Sequence, residues 1–362
     1  MHLKFQLVVL VLFPSQLMAA VPYQCEEMRV ASVCSDIIKN ADENLPGFVR
    51  LAFHDCVGEN GCNGCIDLSN GDNGGLDTYI NHLERRYQAD VKGIMSRADF
   101  WVLCSDVALV EGQRRSGRAG DADSLLLNMV YGRKDCDSEA PNQRSPTDLY
   151  PSPQHGFNDT TEYFATEFGL TSSETVALLG AHTLGRARPA ASGYDKQWVN
   201  SEFSLDNTFY TDILNKRLNW TQVDLNGDLN SNTSHLQWSQ RTTSGWRNLM
   251  FNSDICVAYD IHPDKDGRIN KTYSELAPSA GYELVKIYAN DNARWLTDFS
   301  MAYKKMIKKV REDITLVMAK PDNNPDVCTE PTASPSNMAE SRGTALALSL
   351  QLCTLLLFLL SS

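Results

Sequence analysis

The stretch Ile94-Met-Ser-Arg-Ala-Asp-Phe-Trp-Val-Leu-Cys-Ser-Asp-Val-Ala-Leu-Val-Glu111 constrains the fold more than any other. It is too long for a strand and reads as a buried helix, so the core around it is expected to be helix-dominated. Residues 26–40 place Met28, Val30, Val33, Ile37 and Ile38 at roughly helical spacing. A further helix is expected after Pro46, through Phe48, Val49, Leu51, Ala52 and Phe53. Thr171-Ser-Ser-Glu174 is a capping box that opens a helix through Val176, Leu178 and Leu179 towards Gly185. Residues 281–290 and 295–310 are again amphipathic. The loops at 57–75 and 134–160 are long and rich in Gly, Asn, Asp and Pro, and loops of that length are usually functional or stapled. No internal repeat is evident.

Both ends of the chain read as processing or anchoring segments. Residues 1–20 have a short basic start at Lys4, an apolar run from Leu3 to Leu17 and small residues at Ala19 and Ala20, the layout of a secretory signal peptide. Residues 344–362 form an apolar tail ending at Ser361-Ser362, and 321–343 read as a flexible stalk of small and polar residues. Small residues, polar spacer and apolar tail resemble a glycolipid-anchor signal. The alternative is a permanent single-pass helix, although no Lys or Arg follows the tail to act as a cytoplasmic anchor. The chain is thus expected in the secretory pathway, extracellular and anchored at the cell surface. Sequons at Asn158, Asn219, Asn232 and Asn270 fit export. A formal charge of −12 argues against a nucleic-acid partner, which wants a basic face.

Ten cysteines in an exported chain read first as disulfides. Cys353 falls in the tail, and the odd number left means that at least one is free or paired outside the chain. Cys56, Cys62 and Cys65 cluster, but no second ligand pair of matching spacing supports zinc.

Two short segments carry chemistry. In Arg50-Leu-Ala-Phe-His-Asp-Cys56, Arg50 and His54 are four apart and share a helix face, with Phe53 beside His54. An imidazole that takes a proton from one peroxide oxygen and returns it to the other, beside a guanidinium that stabilises the departing oxygen, suits peroxide cleavage. Taken alone, such a pair is more often a partly buried structural His beside an Arg. In Leu178-Leu-Gly-Ala-His-Thr-Leu-Gly185, His182 is flanked by small residues that leave room for a flat macrocycle, and haem iron commonly takes one His as its proximal ligand. Such a His donates its other ring proton to an acceptor, for which Asp254 is the candidate. The plainer reading of His182 is a helix-end His interacting with the dipole.

These segments resemble the distal and proximal signatures of the plant, fungal and bacterial haem peroxidase superfamily. The resemblance continues in order through Asp72-Asn-Gly-Gly-Leu-Asp77, Ser96-Arg-Ala-Asp99, Tyr131-Gly-Arg-Lys-Asp135, Leu149-Tyr-Pro-Ser-Pro153, Asn252-Ser-Asp-Ile-Cys-Val-Ala-Tyr-Asp260 and the last long helix around 288–299. It covers about residues 25–318. It implies a mainly α, two-lobed helical fold over residues 21–320, with a distal lobe at about 21–150, a proximal lobe at about 151–320 and haem b between them. It further implies that Asn73 orients His54, that Asp99 and Arg133 form a structural ion pair, and that Asp254 partners His182. Ser192-Gly-Tyr-Asp-Lys-Gln-Trp198 and Asp206-Asn-Thr-Phe-Tyr210 resemble the cytochrome c and ascorbate peroxidase class, in which Trp198 would bond Asp254 and serve as an oxidisable site or as a plain core residue. Phe53 matches the secreted plant and fungal classes instead.

Departures from the family pattern narrow the donor. The ascorbate-binding Arg position falls on Ala191. Of three manganese carboxylate positions, Glu43 matches while Gly47 and Arg188 do not, and the surface Trp position is Ala177. What remains is hydrogen peroxide as acceptor with small phenolic or aromatic donors. The alternative is a haem-binding surface glycoprotein with a structural or adhesive role. Arg186 and Arg188 are candidates to pair with haem propionates, because guanidinium matches carboxylate geometry. Calcium, a hard cation that wants oxygen ligands, is implied on the proximal side at Thr183, Ser201, Ser204 and Asp206, and less strongly on the distal side at Asp55, where Asn63 and Cys65 replace expected ligands. The Asp/Asn-rich stretches 224–228 and 264–267 lack a full EF-hand loop and read as turns. For disulfides the resemblance implies Cys56–Cys62, with Cys65 as a competitor for Cys62, and Cys256–Cys328.

Overall fold

Ser96 sets the start of the central helix: its side chain accepts a hydrogen bond from the Asp99 amide at 3.1 Å, so α4 runs Arg97–Arg115 rather than from Ile94. Phe100, Trp101, Val102, Cys104, Ala108 and Leu109 on α4 are fully buried. Burial of each large apolar side chain contributes about 1.5–3 kcal/mol. The computed structural model describes residues 20–322, apart from 119–120, 122–124, 126, 138–148, 226–234 and 244. Nearly all of the expected leader, the stalk beyond Asp322, the apolar tail, Asn232 and Cys328 lie outside the described residues.

Around α4 pack α1 (Gln24–Asn40) and α2 (Asn44–Cys56), with α3 (Leu76–Arg86) against α2. α5 (Phe157–Phe168) leads into α6 (Ser172–Leu179), which opens with the Thr171/Glu174 capping box read from the sequence. α6 ends at Leu179, short of the expected Gly185, because residues 180–183 tighten into a 3₁₀ turn. Gly180 is pinned there: a Cβ would lie 2.5 Å from Tyr210 Oη and 2.6 Å from Trp295 Nε1. After the two-residue β1 (Arg186–Ala187) come α7 (Pro189–Ser192) and β2 (Lys196–Gln197), which pairs with β1, and then α8 (Thr208–Leu214). β3 (Trp220–Val223), β4 (Gln237–Thr242) and β5 (Gly245–Met250) form an antiparallel meander. α9 (Asn252–Ile255) follows, then the short antiparallel pair β6 (Tyr259–Asp260) and β7 (Ala277–Pro278). α10 (Tyr282–Asn290) and α11 (Asn292–Ile307) complete a mainly α fold, and α11 packs on α6 and α2. No helix among the described residues is long and apolar enough to cross a membrane.

The expected ion pair is present and fully buried: Arg133 donates to Asp99 Oδ1 at 2.7 Å and to the carbonyl of Ile307 at 2.6 Å, which ties the loop before it to the end of α11. Cys34–Cys104 joins α1 to α4, and Cys56–Cys62 closes the loop after α2 as expected. Cys65 pairs with Cys136 and does not compete for Cys62. Cys25 is disulfide-bonded as well. The expected Cys256–Cys328 bond is corrected: Cys256 is a buried free thiol, its Sγ 3.2 Å from the Ser253 carbonyl, and burial raises its pKa far above that of an ordinary thiol. The turn reading of 264–267 is met, with Asp264 Oδ1 accepting the amides of Asp266 and Arg268.

Candidate active site

Helix periodicity puts Arg50 and His54 on the same side of α2, over the loop that precedes α3. That loop holds both. Arg50 donates to the carbonyls of Gly74 and Asp72 at 3.0 and 2.8 Å, and His54 Nδ1 lies 2.8 Å from Asn73 Oδ1. The Asn73 amide is fixed in turn, because its Nδ2 donates to the Asp67 carbonyl at 2.8 Å. With Oδ1 accepting, Nδ1 of His54 carries the proton, and Nε2 has no hydrogen-bond partner among the described residues. Desolvation first, and the Arg50 cation second, hold the His54 pKa well below its usual value, while the Asn73 bond opposes them. Phe53 meets the His54 ring edge-on at 5.5 Å and packs against Phe164 and Phe168.

The sequence reading missed Tyr150. Its ring lies 4.5 Å from that of His54, and its hydroxyl is 3.3 Å from the His54 carbonyl. Burial pushes its phenol up to about 12. The proline-rich loop pointed to this segment, but only tertiary packing brings a ring from residue 150 onto residue 54.

His182 sits in the 3₁₀ turn after α6. Its Nδ1 is 2.7 Å from Oδ1 of Asp254, a carboxylate with no exposed surface. Asp254 Oδ2 accepts from Trp198 Nε1 at 2.9 Å and from the Phe251 amide at 2.8 Å. The indole of Trp198 stacks on the His182 ring at 4.4 Å, and Phe209 and Phe251 meet that ring edge-on. Three of the expected proximal residues therefore form one cluster. The His182 side chain is 32% exposed even so, and its Nε2 is unpartnered among the described residues. An imidazole held through Nδ1 by a carboxylate, with Nε2 open, is the donor set that an iron ligand needs.

Three contacts lay the segment after His182 against the start of α2 and the loop before α3. Gly185, at φ 82°, faces Pro46, where a Cβ would come within 2.8 Å of the proline ring. Arg188 pairs with Glu43 at 2.6 Å, and the carbonyl of Ala191 packs directly on Gly74. Arg188 is thus engaged by Glu43, the residue at a manganese position, while Arg186 stands 3.8 Å from Glu202. At the expected cation positions, Thr183 Oγ1 donates to Asp206 Oδ1 at 3.4 Å, and the Ser204 amide donates to the Ser201 carbonyl at 3.0 Å. Asp55 Oδ1 accepts the amides of Asn63 and Cys65, whereas its buried Oδ2 has no partner among the described residues. Burial pushes the Asp55 carboxyl up to about 7. Among the described residues no three His, Cys, Asp or Glu side chains group as a metal site.

A family model described as Peroxidase matches residues 30–262. The chain belongs to the haem peroxidase family. Haem peroxidases similar to it include "Putative heme-binding peroxidase" of Candida albicans, 26% identical over 75% of this chain and 83% of that protein. "Putative cytochrome c peroxidase, mitochondrial" of Yarrowia lipolytica is 24% identical over 77% of this chain and 88% of its own. "L-ascorbate peroxidase 1, cytosolic" of Oryza sativa subsp. indica is 31% identical over 41% of this chain and 52% of its own. As a haem peroxidase, the protein takes hydrogen peroxide as its electron acceptor and requires a reducing substrate.

Proposed function

We propose that His182 holds the haem iron, that Arg50, His54 and Asn73 act on the peroxide, and that the electrons come from small phenolic or aromatic donors. One observation carries the reading. Each imidazole is fixed through Nδ1 by a side-chain oxygen, Asn73 for His54 and Asp254 for His182, which leaves both Nε2 atoms free. Haem, when bound, supplies the redox chemistry that reduces the O–O bond. His54, neutral because its pKa is depressed, takes a proton from the bound peroxide at Nε2 and delivers it to the oxygen that leaves as water. Arg50, held by two carbonyls, stabilises the charge that develops on that oxygen. Asp254 accepts the His182 Nδ1 proton and raises the basicity of Nε2 towards the metal.

The donor assignment follows from what the edges lack. Ala191 offers no cation, and its carbonyl is pressed onto Gly74, so an acidic donor finds neither charge nor room there. Glu43 is tied to Arg188 and stands without a second carboxylate at Gly47, so manganese has no site. Arg186, more loosely paired than Arg188, is the better placed of the two to meet a propionate. Calcium is assigned to the Thr183, Ser201, Ser204 and Asp206 region, which Thr183 and Asp206 support by their proximity. Asp55, with one buried oxygen free, is the weaker site because Asn63 and Cys65 bring no charge. The apolar ends of the sequence, the disulfides and the exposed sequon residues Asn158, Asn219 and Asn270 support a glycosylated extracellular protein held at the membrane by its C-terminal segment.

The experiment is a donor panel of guaiacol, ascorbate and ferrocytochrome c on the haem-loaded protein, with His54→Leu as control. Phenol oxidation is expected without saturable ascorbate oxidation, and the peroxide-induced shift of the Soret band is expected to vanish in His54→Leu. Tight saturation by ascorbate would overturn the donor assignment.

A further inference from the structure

Tyr150 closes one face of the His54 imidazole. The two ring centroids are 4.5 Å apart and the planes are tilted by 33°. That is contact distance for aromatic rings, and an atom lodged between them would need a gap of roughly 7 Å. Phe53 bounds the same imidazole edge-on at 5.5 Å. Helix α5 stands behind both neighbours. Phe164 and Phe168 pack on Phe53, while Tyr163 Oη donates to the Leu149 carbonyl at 2.9 Å and so holds the residue before Tyr150. The Leu149 side chain lies over Gly58, its methyls 3.5 Å from where a Cβ would stand. The Tyr150 hydroxyl donates to the His54 carbonyl at 3.3 Å. The ring is therefore anchored twice, through its own loop and through the helix whose histidine it covers.

We propose that Tyr150 sets the size of the peroxide, admitting hydrogen peroxide and turning away hydroperoxides that carry a branched alkyl or aryl group. The inference rests on the assignment of His54 to the peroxide. In that reaction the O–O bond breaks with two electrons from bound haem, and one proton moves from the first oxygen to the second. The second oxygen leaves as water or, from a hydroperoxide ROOH, as ROH. It is this leaving oxygen that carries R, and it is also the atom to which His54 Nε2 delivers the proton and beside which Arg50 stands. R must therefore lie next to the imidazole. When R is hydrogen, the peroxide meets Nε2 in the plane of the ring and needs neither face. A tertiary carbon at that point spreads its substituents above and below the plane, and the Tyr150 ring fills one of those two spaces.

The test compares the rates of the Soret change of the haem-loaded protein with hydrogen peroxide and with cumene hydroperoxide. Tyr150→Ala is expected to raise the rate with cumene hydroperoxide, relative to hydrogen peroxide, by about tenfold or more, the scale on which a pocket discriminates by size. Tyr150→Phe keeps the ring and loses only the bond to the His54 carbonyl, so the ratio should stay within about twofold of the parent value. Ligand binding to the ferric protein reads the same space without turnover. The affinity for 4-phenylimidazole relative to cyanide should rise in Tyr150→Ala and hold in Tyr150→Phe. Tyr163→Phe frees the Leu149 carbonyl while leaving the Tyr150 ring in the chain, and should shift both ratios in the direction of Tyr150→Ala even where loss of the whole ring unsettles the fold. Parent-like ratios in Tyr150→Ala and Tyr163→Phe, with hydrogen peroxide still reacting, would overturn the size assignment and leave His54 in its role. A parent protein whose Soret band ignores hydrogen peroxide would remove His54 from that role and this proposal with it.

Discussion

Asn73 Oδ1 lies 2.8 Å from Nδ1 of His54, so a loop residue decides which imidazole nitrogen is left to work. The same bond opposes the burial and the Arg50 charge that depress the His54 pKa.

Two pH profiles follow. In the parent protein, His54 must be neutral to take a proton, and its pKa is depressed. The rate of reaction with peroxide should therefore hold as pH falls through the ordinary histidine range and decline only below it. Asn73→Asp places a carboxylate on the ring, favours the charged form and should move that decline to higher pH. Asn73→Val removes the acceptor and should slow the reaction by about tenfold, the worth of one hydrogen bond of roughly 1.4 kcal/mol. Stopped-flow measurement of the Soret change across pH reads both.

Asp254 grips His182 and Trp198 at once, one with each oxygen. Asp254→Asn should loosen both rings, and the loss of such a partner typically costs about 10–100-fold in metal affinity or activity. Titration of apoprotein with haem, followed by the reduction potential of the iron, would show weaker binding and a higher potential. Unchanged values would remove Asp254 from its assigned role.

The Asp99–Arg133 pair is a stability element. Asp99→Ala leaves Arg133 buried without its counter-charge and should cost about 3–5 kcal/mol. Replacing both residues with apolar ones of similar volume should cost much less, because the desolvation of both charges is also relieved. Denaturant titration of the single and double variants makes the comparison.

Asp106 supplies a pH-dependent term of the opposite sign to a usual carboxylate. It is buried on α4 with Oδ1 unpartnered among the described residues, and burial pushes its carboxyl up to about 7, against the pull of Tyr303 and the Arg133 charge. The folded state thus binds a proton that the unfolded state has already released, so this contribution to stability is lost as pH rises from about 4 through about 7. Asp106→Asn should flatten that slope and stabilise the protein at pH 8, by no more than about 4 kcal/mol. Thermal unfolding at pH 5 and pH 8 would show it, and an equal response at both would refute the assignment.

The elements whose signals are local could be read in the sequence. The α6 capping box, the buried α4 and the face shared by Arg50 and His54 all depend on spacing within a few residues. Asn73 and Trp198 could be named only through resemblance, and Asp254 only as a candidate acceptor, because the bonds Asn73–His54, Trp198–Asp254 and Asp254–His182 span 19, 56 and 72 positions in sequence. Tyr150, the meander β3–β5 and helices α3 and α5 were not anticipated. α3 carries its helical signal on only three buried residues, Leu76, Ile80 and Leu83, and β4 has four buried positions in a row and so lacks the strand alternation. The helix expected to run towards Gly185 gives way after Leu179 to a 3₁₀ turn, in which Tyr210 and Trp295, from distant segments, close on Gly180. The pairing that the resemblance implied for Cys256 failed, since a family pattern does not show that its thiol is enclosed near Thr160 and Ser253.

Every disulfide with both ends described lies between Cys34 and Cys136, and the one described cysteine in the half of the chain that carries His182 is unbridged. Durability is therefore divided unevenly. The scaffold under Arg50 and His54 is clamped covalently, whereas the bed of His182 rests on packing and on the bonds of Asp254. A mild reductant should soften the half that carries Arg50 and His54 first.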